Sequence, residues 1–437
     1  MSFTTIKFLW FLAGFLIVYS ACPAAWRRWV VLAGGLAFAC LGSFWGGVAV
    51  LGFTAANFSL GGLISTVKKP KPILIAGIAA NLLALLFFKL SGRPVLGMSF
   101  YALLCIRYLV DVAQGATVAE ESLLRFAGYT LFFPKYPMGP LVGYGELAEQ
   151  LDAPKLRSVD VHDGLQSFTM GFAMKVLLAD RLAELWAGLE RAGYSRVSFA
   201  LAWVGLFAFA LRVYLEWQSY CLMASGLARL FGVRLPVNFD APILSRTIRE
   251  FFRRFARTLG EWFHDYVFVP LGGSKQGTGR TAVNIVLVWV LVGLWHGTHW
   301  NFVLWGLLIA ALLLIERLWL GQRLQKSRVL SHLWVLLPLT LSMVVFAFTD
   351  FSAMGAFFVR LIPFVGSDEV RIGLRTVIVP YIAPLLVGLL CCFPIVQNLV
   401  HRFKRSWVVS ALLAGLFWWS VIVLVMNGGT SFLYLNL

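Results

Sequence analysis

Long apolar runs separated by short basic loops set the pattern of this chain. Runs at residues 3–20, 30–53, 73–88, 199–213, 283–294, 302–315, 333–348, 377–393 and 408–426 read as membrane segments. With shorter pieces between them, the pattern predicts roughly ten to twelve such segments, at about 20 residues for each full span. The loops carry Arg27 and Arg28, then Lys68, Lys69 and Lys71, then Arg317, Arg323, Lys326 and Arg328, and finally His401, Arg402, Lys404 and Arg405. Basic loops are expected on the cytoplasmic side. Two short spans between the first two loops put both there and leave the N-terminus extracytoplasmic.

Several stretches break the apolar pattern. Residues 132–146 hold Pro134, Pro137, Gly139, Pro140, Gly143 and Gly145, too dense for a continuous helix. They predict a re-entrant or loop segment, which survives at membrane depth only when protein covers it or a cavity faces it. Residues 146–163 are charged and predict a surface helix, with His162 in solvent. Arg107 and Asp111 are four apart on one helix face and spaced for an ion pair. Residues 214–226 mix Glu216, Gln218, Ser219 and Ser225 with aromatics, as expected of interhelical hydrogen bonds or a cavity wall. Asn238 to Pro242 reads as a turn, with Ser245 able to cap the helix after it.

Composition supports the membrane reading. Hydrophobic residues make up 60% of the 437 and charged residues 13%, with a mean hydropathy of +0.81, which excludes a soluble domain. Continuous apolar runs require helices, since membrane barrels alternate. The 37 Lys and Arg against 20 Asp and Glu give a net charge of +17. Because the basic residues cluster in short loops, anionic lipid accounts for them better than nucleic acid. The six cysteines form no Cys-x-x-Cys pair and read as packing residues. Lys7 and the apolar run after it look superficially like a signal peptide, but in a multispan chain they read as a retained first helix.

The most informative stretch is 250–306. Phe252, Phe255, Leu259, Trp262, Phe263 and Tyr266 take up helical spacing on one face; Arg253, Arg254, Arg257, Glu261, His264 and Asp265 occupy the other. The spacing predicts one amphipathic helix, lying along an interface or cavity, with an Arg257–Glu261 pair, ended by Pro270 and Gly272-Gly273. Residues 283–294 then deliver Trp295, His296, Gly297, Thr298 and His299 into or to the end of a membrane helix, where an ionisable group needs a reason. Taken alone, a histidine in an apolar run reads as a hydrogen-bonded core group. His296 and His299 have no carboxylate or cysteine at ligand spacing, so no metal site is expected.

The order of amphipathic helix, Pro270-Leu271-Gly272-Gly273 and Gly293-Leu294-Trp295-His296-Gly297 resembles the membrane-bound O-acyltransferase family. The similarity is to its bacterial branch of alginate O-acetyltransferases and teichoic-acid D-alanyl transferases. Residues 97–111, 131–147, 171–180 and 214–242 extend the resemblance over most of the chain. It implies an all-α polytopic fold, a helix bundle with re-entrant and interfacial amphipathic helices around a transmembrane tunnel. It also implies one integral membrane acyltransferase domain over 1–437, with peripheral spans at 1–92, a core at 93–350 and C-terminal spans at 351–437.

The function the resemblance implies is transfer of an acetyl group from a cytoplasmic thioester, acetyl-coenzyme A or an acyl carrier protein, across the bacterial inner membrane. The acceptor would be an extracytoplasmic polysaccharide or a partner acyltransferase. No bound cofactor, no nucleic acid and contact with membrane lipids are expected. His296 falls on the family's catalytic histidine, as base or acyl relay; apolar surroundings favour neutral imidazole, the form that accepts a hydroxyl proton. Arg253, Arg254 and Arg257 are expected to attract the anionic donor or lipid headgroups, and Trp295, His299, Glu216 and Asp265 to line the cavity. The chain departs from the branch where Arg254-Phe255-Ala256 replaces arginine-tryptophan-histidine, leaving His264 as the helper, turned by roughly 80° from Ala256 on a continuous helix. His264-Asp265-Tyr266 replaces arginine-aspartate-tyrosine, Glu216 an aspartate, and Thr349-Asp350 an arginine. Two other readings stand beside this one: D-alanyl transfer from a carrier protein to a cell-envelope polymer, and a non-enzymatic glycan or lipid transporter.

Overall fold

The computed structural model describes residues 2–91, 95, 97–136, 138–154, 156–363 and 372–429; Pro137 lies outside them. Among the described residues the regular structure is helical, with a lone bridge between Val197 and Ile372. Eight helices are long and apolar enough to cross a membrane, nine if a pair bent by 76° counts as one span, and Ile6–Ala21 and Phe351–Arg360 are shorter apolar helices. Local chemistry divides two of the expected runs. Ser43 ends one helix and caps the next, its hydroxyl accepting from the Gly46 N–H at 3.2 Å, so 30–53 is shared between Arg27–Gly42 and Phe44–Thr66. Pro394 cannot continue the helix before it, and the bend falls there. Residues 199–213 and 214–226, in contrast, form one 32-residue helix, Phe199–Leu230.

The chain forms two compact units. The first comprises Met1–Phe172, Tyr220–Val237 and Leu413–Asn436. Aromatic rings fill its core: Phe3 stacks on Phe8 and Tyr220, each at 4.7 Å, and Phe38 stacks on Phe133 at 5.6 Å. Phe133 belongs to the proline-rich segment, which is irregular as expected and buried. Short backbone bonds within it and two side chains satisfy part of its backbone. Tyr129 donates to the Val142 carbonyl and Arg107 to that of Leu141, both at 3.0 Å, and the Lys135 ammonium sits 3.6 Å from the Tyr129 ring centroid. Arg107 also pairs with Asp111 and Glu146, each at 3.6 Å. A Cβ on Gly143 would come within 2.7 Å of that guanidinium, which would have to shift to admit it. The charged stretch after Glu146 is two helices, Tyr144–Asp152 and Ser158–Ala173, with His162 half-exposed. Between Phe44–Thr66 and Lys71–Leu90, Asn57 and Asn81 exchange amide hydrogen bonds at 3.2 and 2.8 Å.

The second unit comprises Ala173–Ser219 and Asn238–Leu412. At its centre Gly277–His296 packs against Trp300–Ile315, and Gly293 and Gly306 let the two backbones touch: a Cβ on either would collide with the carbonyl of Phe302 or Trp289. Arg328–Ala347 is tied on by Asn301, which donates to the Val345 and Phe346 carbonyls at 3.2 and 3.1 Å. Trp305 adds a bond to the Ser342 hydroxyl at 3.3 Å. Three π-helical turns, Met174–Ala179, His264–Phe268 and Glu316–Leu320, interrupt helices here.

The expected single amphipathic helix is two. Ile248–Arg254 and Arg257–Phe263 meet at Ala256, which adopts a left-handed φ of 49°. The expected turn at 238–242 is irregular backbone leading into a 3-10 turn, Pro242–Leu244, and it clips the break. Asn238 accepts from the Arg257 N–H at 2.9 Å and from the Thr258 N–H and hydroxyl at 2.9 and 3.0 Å, and the Asp240 N–H reaches the Arg254 carbonyl at 3.0 Å. The 80° offset between positions 256 and 264 therefore does not apply. Thr247, not Ser245, caps the first helix, accepting from the Glu250 N–H at 3.0 Å.

These contacts predict two stability outcomes. Asn81→Leu leaves the Asn57 side-chain oxygen without its donor and should cost about 1 kcal/mol, seen as a lower unfolding midpoint in detergent, while pairing it with Asn57→Leu should recover part of the loss. Lys175 is fully buried between Asp180 and Glu216, 3.4 Å from the latter, and Arg212 reaches Glu216 at 3.0 Å. Lys175→Met leaves carboxylate charge uncompensated and should cost about 3–5 kcal/mol, read as loss of monodisperse protein after extraction.

Candidate functional site

His296 is the last residue of Gly277–His296. Gly297 then turns the chain in extended geometry, and its missing side chain admits the Phe302 ring. His299 precedes Trp300–Ile315 directly. The imidazole is 6% exposed and enclosed by rings: Trp295 at 5.0 Å, Trp305 and Phe346 at 5.3 Å, and Trp217 at 6.5 Å. Three of them meet it nearly edge-on. The bond from Trp305 to Ser342 fixes the indole, and Phe255 packs against Trp217 at 5.4 Å.

A cavity of about 1390 Å³ within the second unit reaches this histidine. Ile285, Val288, Trp289, Val292 and His296 present one face of their helix to it, a run of roughly 17 Å at 1.5 Å per residue. Trp217, Trp305 and Phe346 continue the wall. Arg249, Arg253, Arg254, Arg257 and Arg317 also line it. Two are paired, Arg254 with Glu250 at 2.8 Å and Arg257 with Glu261 at 3.7 Å, the second as the spacing predicts. Five arginines against the four carboxylates of Asp240, Glu250, Glu261 and Glu316, on a wall otherwise mainly apolar and aromatic, suit a ligand with an anionic end and an apolar or thioester end.

The other residues singled out in the sequence divide between the cavity wall and its surroundings. His264 lines the cavity, is exposed, and has its Nδ1 2.7 Å from the Asp265 carboxylate. Asp265 itself is outside the lining. Trp295 is also outside it, behind His296 and 6.3 Å from Phe263. Glu216 is held in the ion cluster with Lys175 and Arg212, and His299 is exposed at the helix start. Among the described residues no group of three His, Cys, Asp or Glu is arranged to hold a metal ion. Ala256, where the resembling branch carries histidine, is buried in the cavity wall.

Sequence reasoning passed over Arg249 and Glu316, both of which line the cavity. A carboxylate directly after an apolar run looks like the end of a span, and two of its three partners lie some 70 positions away. Cys392 and Tyr214 also line the cavity, and the Tyr214 hydroxyl donates to the Cys392 carbonyl at 3.4 Å.

Comparison with known proteins bears on what this cavity serves. The model of MBOAT, the membrane-bound O-acyltransferase family, matches residues 109–359, more than half of the chain and inclusive of the whole histidine and arginine wall. A probable alginate O-acetylase, AlgI, of Azotobacter vinelandii is 30% identical over 349 residues, 72% of this chain and 69% of that protein. A peptidoglycan O-acetyltransferase of Helicobacter pylori is 29% identical over 291 residues, 56% of this chain and 55% of that protein. A teichoic acid D-alanyltransferase of Bacillus subtilis is 24% identical over 229 residues, 50% and 58% respectively. The chain thus spans little more than half of the last two. Together with the multiple membrane helices and the cavity-lining histidine, this shows that the chain is a multi-pass acyltransferase belonging to the membrane-bound O-acyltransferase family.

Proposed function

We propose that this enzyme takes an acetyl group from a cytoplasmic thioester, acetyl-coenzyme A or an acyl carrier protein, and delivers it across the bacterial inner membrane. The product is O-acetylation of an extracytoplasmic polysaccharide, directly or through a partner acyltransferase. The observation that carries the reading is the placement of a buried, aromatic-walled histidine and a set of arginines on one continuous cavity. The names of the relatives, O-acetylases of alginate and of peptidoglycan, support acetyl as the group and a cell-envelope glycan as the acceptor.

In this reading Arg253, Arg254 and Arg257 hold the anionic part of the donor, and His296 is the general base. Its imidazole takes the hydroxyl proton as the acceptor oxygen attacks the thioester carbonyl. The O–C bond forms, the C–S bond breaks, and the imidazolium returns its proton to the leaving thiolate. Trp217, Trp305 and Phe346 keep bulk water from the acyl carbon. His264, oriented by Asp265, is the helper on the arginine side. Residues 93–350 form the catalytic core, with Arg27-Arg28 and Lys68 to Lys71 on the cytoplasmic face and the N-terminus outside.

A D-alanyl group is the alternative cargo, supported by the teichoic acid D-alanyltransferase relatives; the thioester consumed separates the two. In proteoliposomes fed radiolabelled acetyl-coenzyme A, His296→Ala should lower label on glycan or partner by a factor of at least about 100 with folding intact. Absence of label with wild-type protein sends the reading to carrier-bound donors. Substrate movement that survives His296→Ala favours a transporter. Arg253→Ala combined with Arg257→Ala should raise the donor KM several-fold and lower kcat far less; an unchanged KM would assign those arginines to lipid headgroups.

A further inference from the structure

Ile248–Arg254, the helix that carries three of the cavity arginines, is only seven residues long. Such a helix closes few internal hydrogen bonds and does not persist unsupported. Its C-terminal end is fixed by the clip at Asn238 and Asp240. Its N-terminal end is fixed by a residue 68 positions away. Glu316, 6% exposed and first in the π-helical turn Glu316–Leu320, accepts from the Ile248 N–H at 2.6 Å and the Trp334 indole N–H at 3.2 Å through Oε2. Its Oε1 accepts from the Arg249 N–H at 3.3 Å. These are the first two amides of the helix, which have no partner inside it. Thr247 serves the Glu250 N–H, so Glu316 completes most of the cap.

The chemistry explains why a carboxylate stands there. A buried charge is tolerated when its oxygens are saturated by donors, and three N–H groups converge on this one. A glutamine in its place offers one acceptor oxygen and turns an NH2 group either toward the Arg249 N–H or toward the Ile248 and Trp334 N–H groups. The contact joins the end of Trp300–Ile315, the Trp334 turn of Arg328–Ala347 and the arginine helix at one point of the cavity wall.

We propose that Glu316 is a positioning residue for donor binding: it pins the start of the arginine helix and so sets Arg249, Arg253 and Arg254 along the cavity. This rests on the acyl-transfer reading above, with the arginines as the donor site. Glu316 makes no contact with the reacting atoms in this role; it acts through the helix it holds.

The test combines steady-state kinetics with hydrogen exchange on the full-length protein in lipid nanodiscs, using acetyl-coenzyme A as the probe. Glu316→Gln should raise the donor KM about tenfold and lower kcat far less, and should speed amide exchange in peptides spanning 246–256 while those from Gly277–His296 stay protected. Glu316→Asp, which keeps the charge on a shorter arm, should fall between Glu316→Gln and wild type in both readouts. Thr247→Ala loosens the same helix end without altering the buried carboxylate and should move both readouts in the same direction by a factor of about two to five. It also serves if Glu316→Gln fails to accumulate. Faster exchange with an unchanged KM in either variant overturns the proposal while leaving the acyl-transfer reading standing. Unchanged exchange overturns it too, as does a fall in kcat alone. Wild-type protein that turns over no acyl thioester sinks the acyl-transfer reading itself, and the proposal with it.

Discussion

Backbone and side-chain polar groups that leave water must find partners in the protein, and at membrane depth this constraint governs every place where the chain departs from a simple helix. In the first unit, the proline-rich segment has only a short 3-10 turn, and Tyr129 and Arg107 supply donors to its Val142 and Leu141 carbonyls. In the second, the break at Ala256 frees amides that Asn238 takes up through both its carbonyl and its side chain. The irregular pieces are held as firmly as the spans, by side chains from distant parts of the sequence.

The same constraint explains the charges. Lys175, Glu216 and Glu316 are all nearly inaccessible, and each lies in or bonds to a π-helical turn. A π turn inserts an extra residue into a helix and rotates the residues beyond it, a device often found where side chains must be aimed at a particular point. Lys175 meets two carboxylates, and Glu316 meets three N–H donors. Neither arrangement adds much net stability over an apolar core, because desolvation offsets the attraction. Their contribution is a fixed relation between segments, which apolar packing alone specifies loosely.

The spans were legible because lipid demands nearly continuous apolar runs, and eight or nine of them meet the demands of length and hydropathy. Their interruptions were less so. Ser43 looks like any serine until its cap is seen, and Ala256 gives no local sign of a left-handed φ, since nothing in helical periodicity encodes a clip from Asn238 eighteen positions earlier. At the site, His296 drew notice as an ionisable residue after an apolar run and was assigned a role only through the family resemblance, and the arginines stood out as one face of a repeating pattern. Glu216 and Glu316 were harder. Both are single carboxylates beside apolar stretches, yet one is held in an ion cluster and the other caps a helix at the cavity, a distinction made only by tertiary partners.

The mixed character of the cavity wall gives a physical basis for the acyl-transfer reading. Phosphate-bearing or otherwise anionic donors are drawn to clustered guanidinium groups, which work best where some water remains to carry the donor in. A base that activates a hydroxyl against a thioester works best where water is scarce, because water is itself a competing nucleophile. The lining of one cavity includes both kinds of group, the arginines and the ring-enclosed His296. The arginines sit on a short helix that cannot hold itself, and the histidine ends a long helix locked by glycine contacts and aromatic rings. In the acyl-transfer reading, donor capture is thus built on a short helix held by a few polar anchors, and proton transfer on a long helix held by close backbone and aromatic packing.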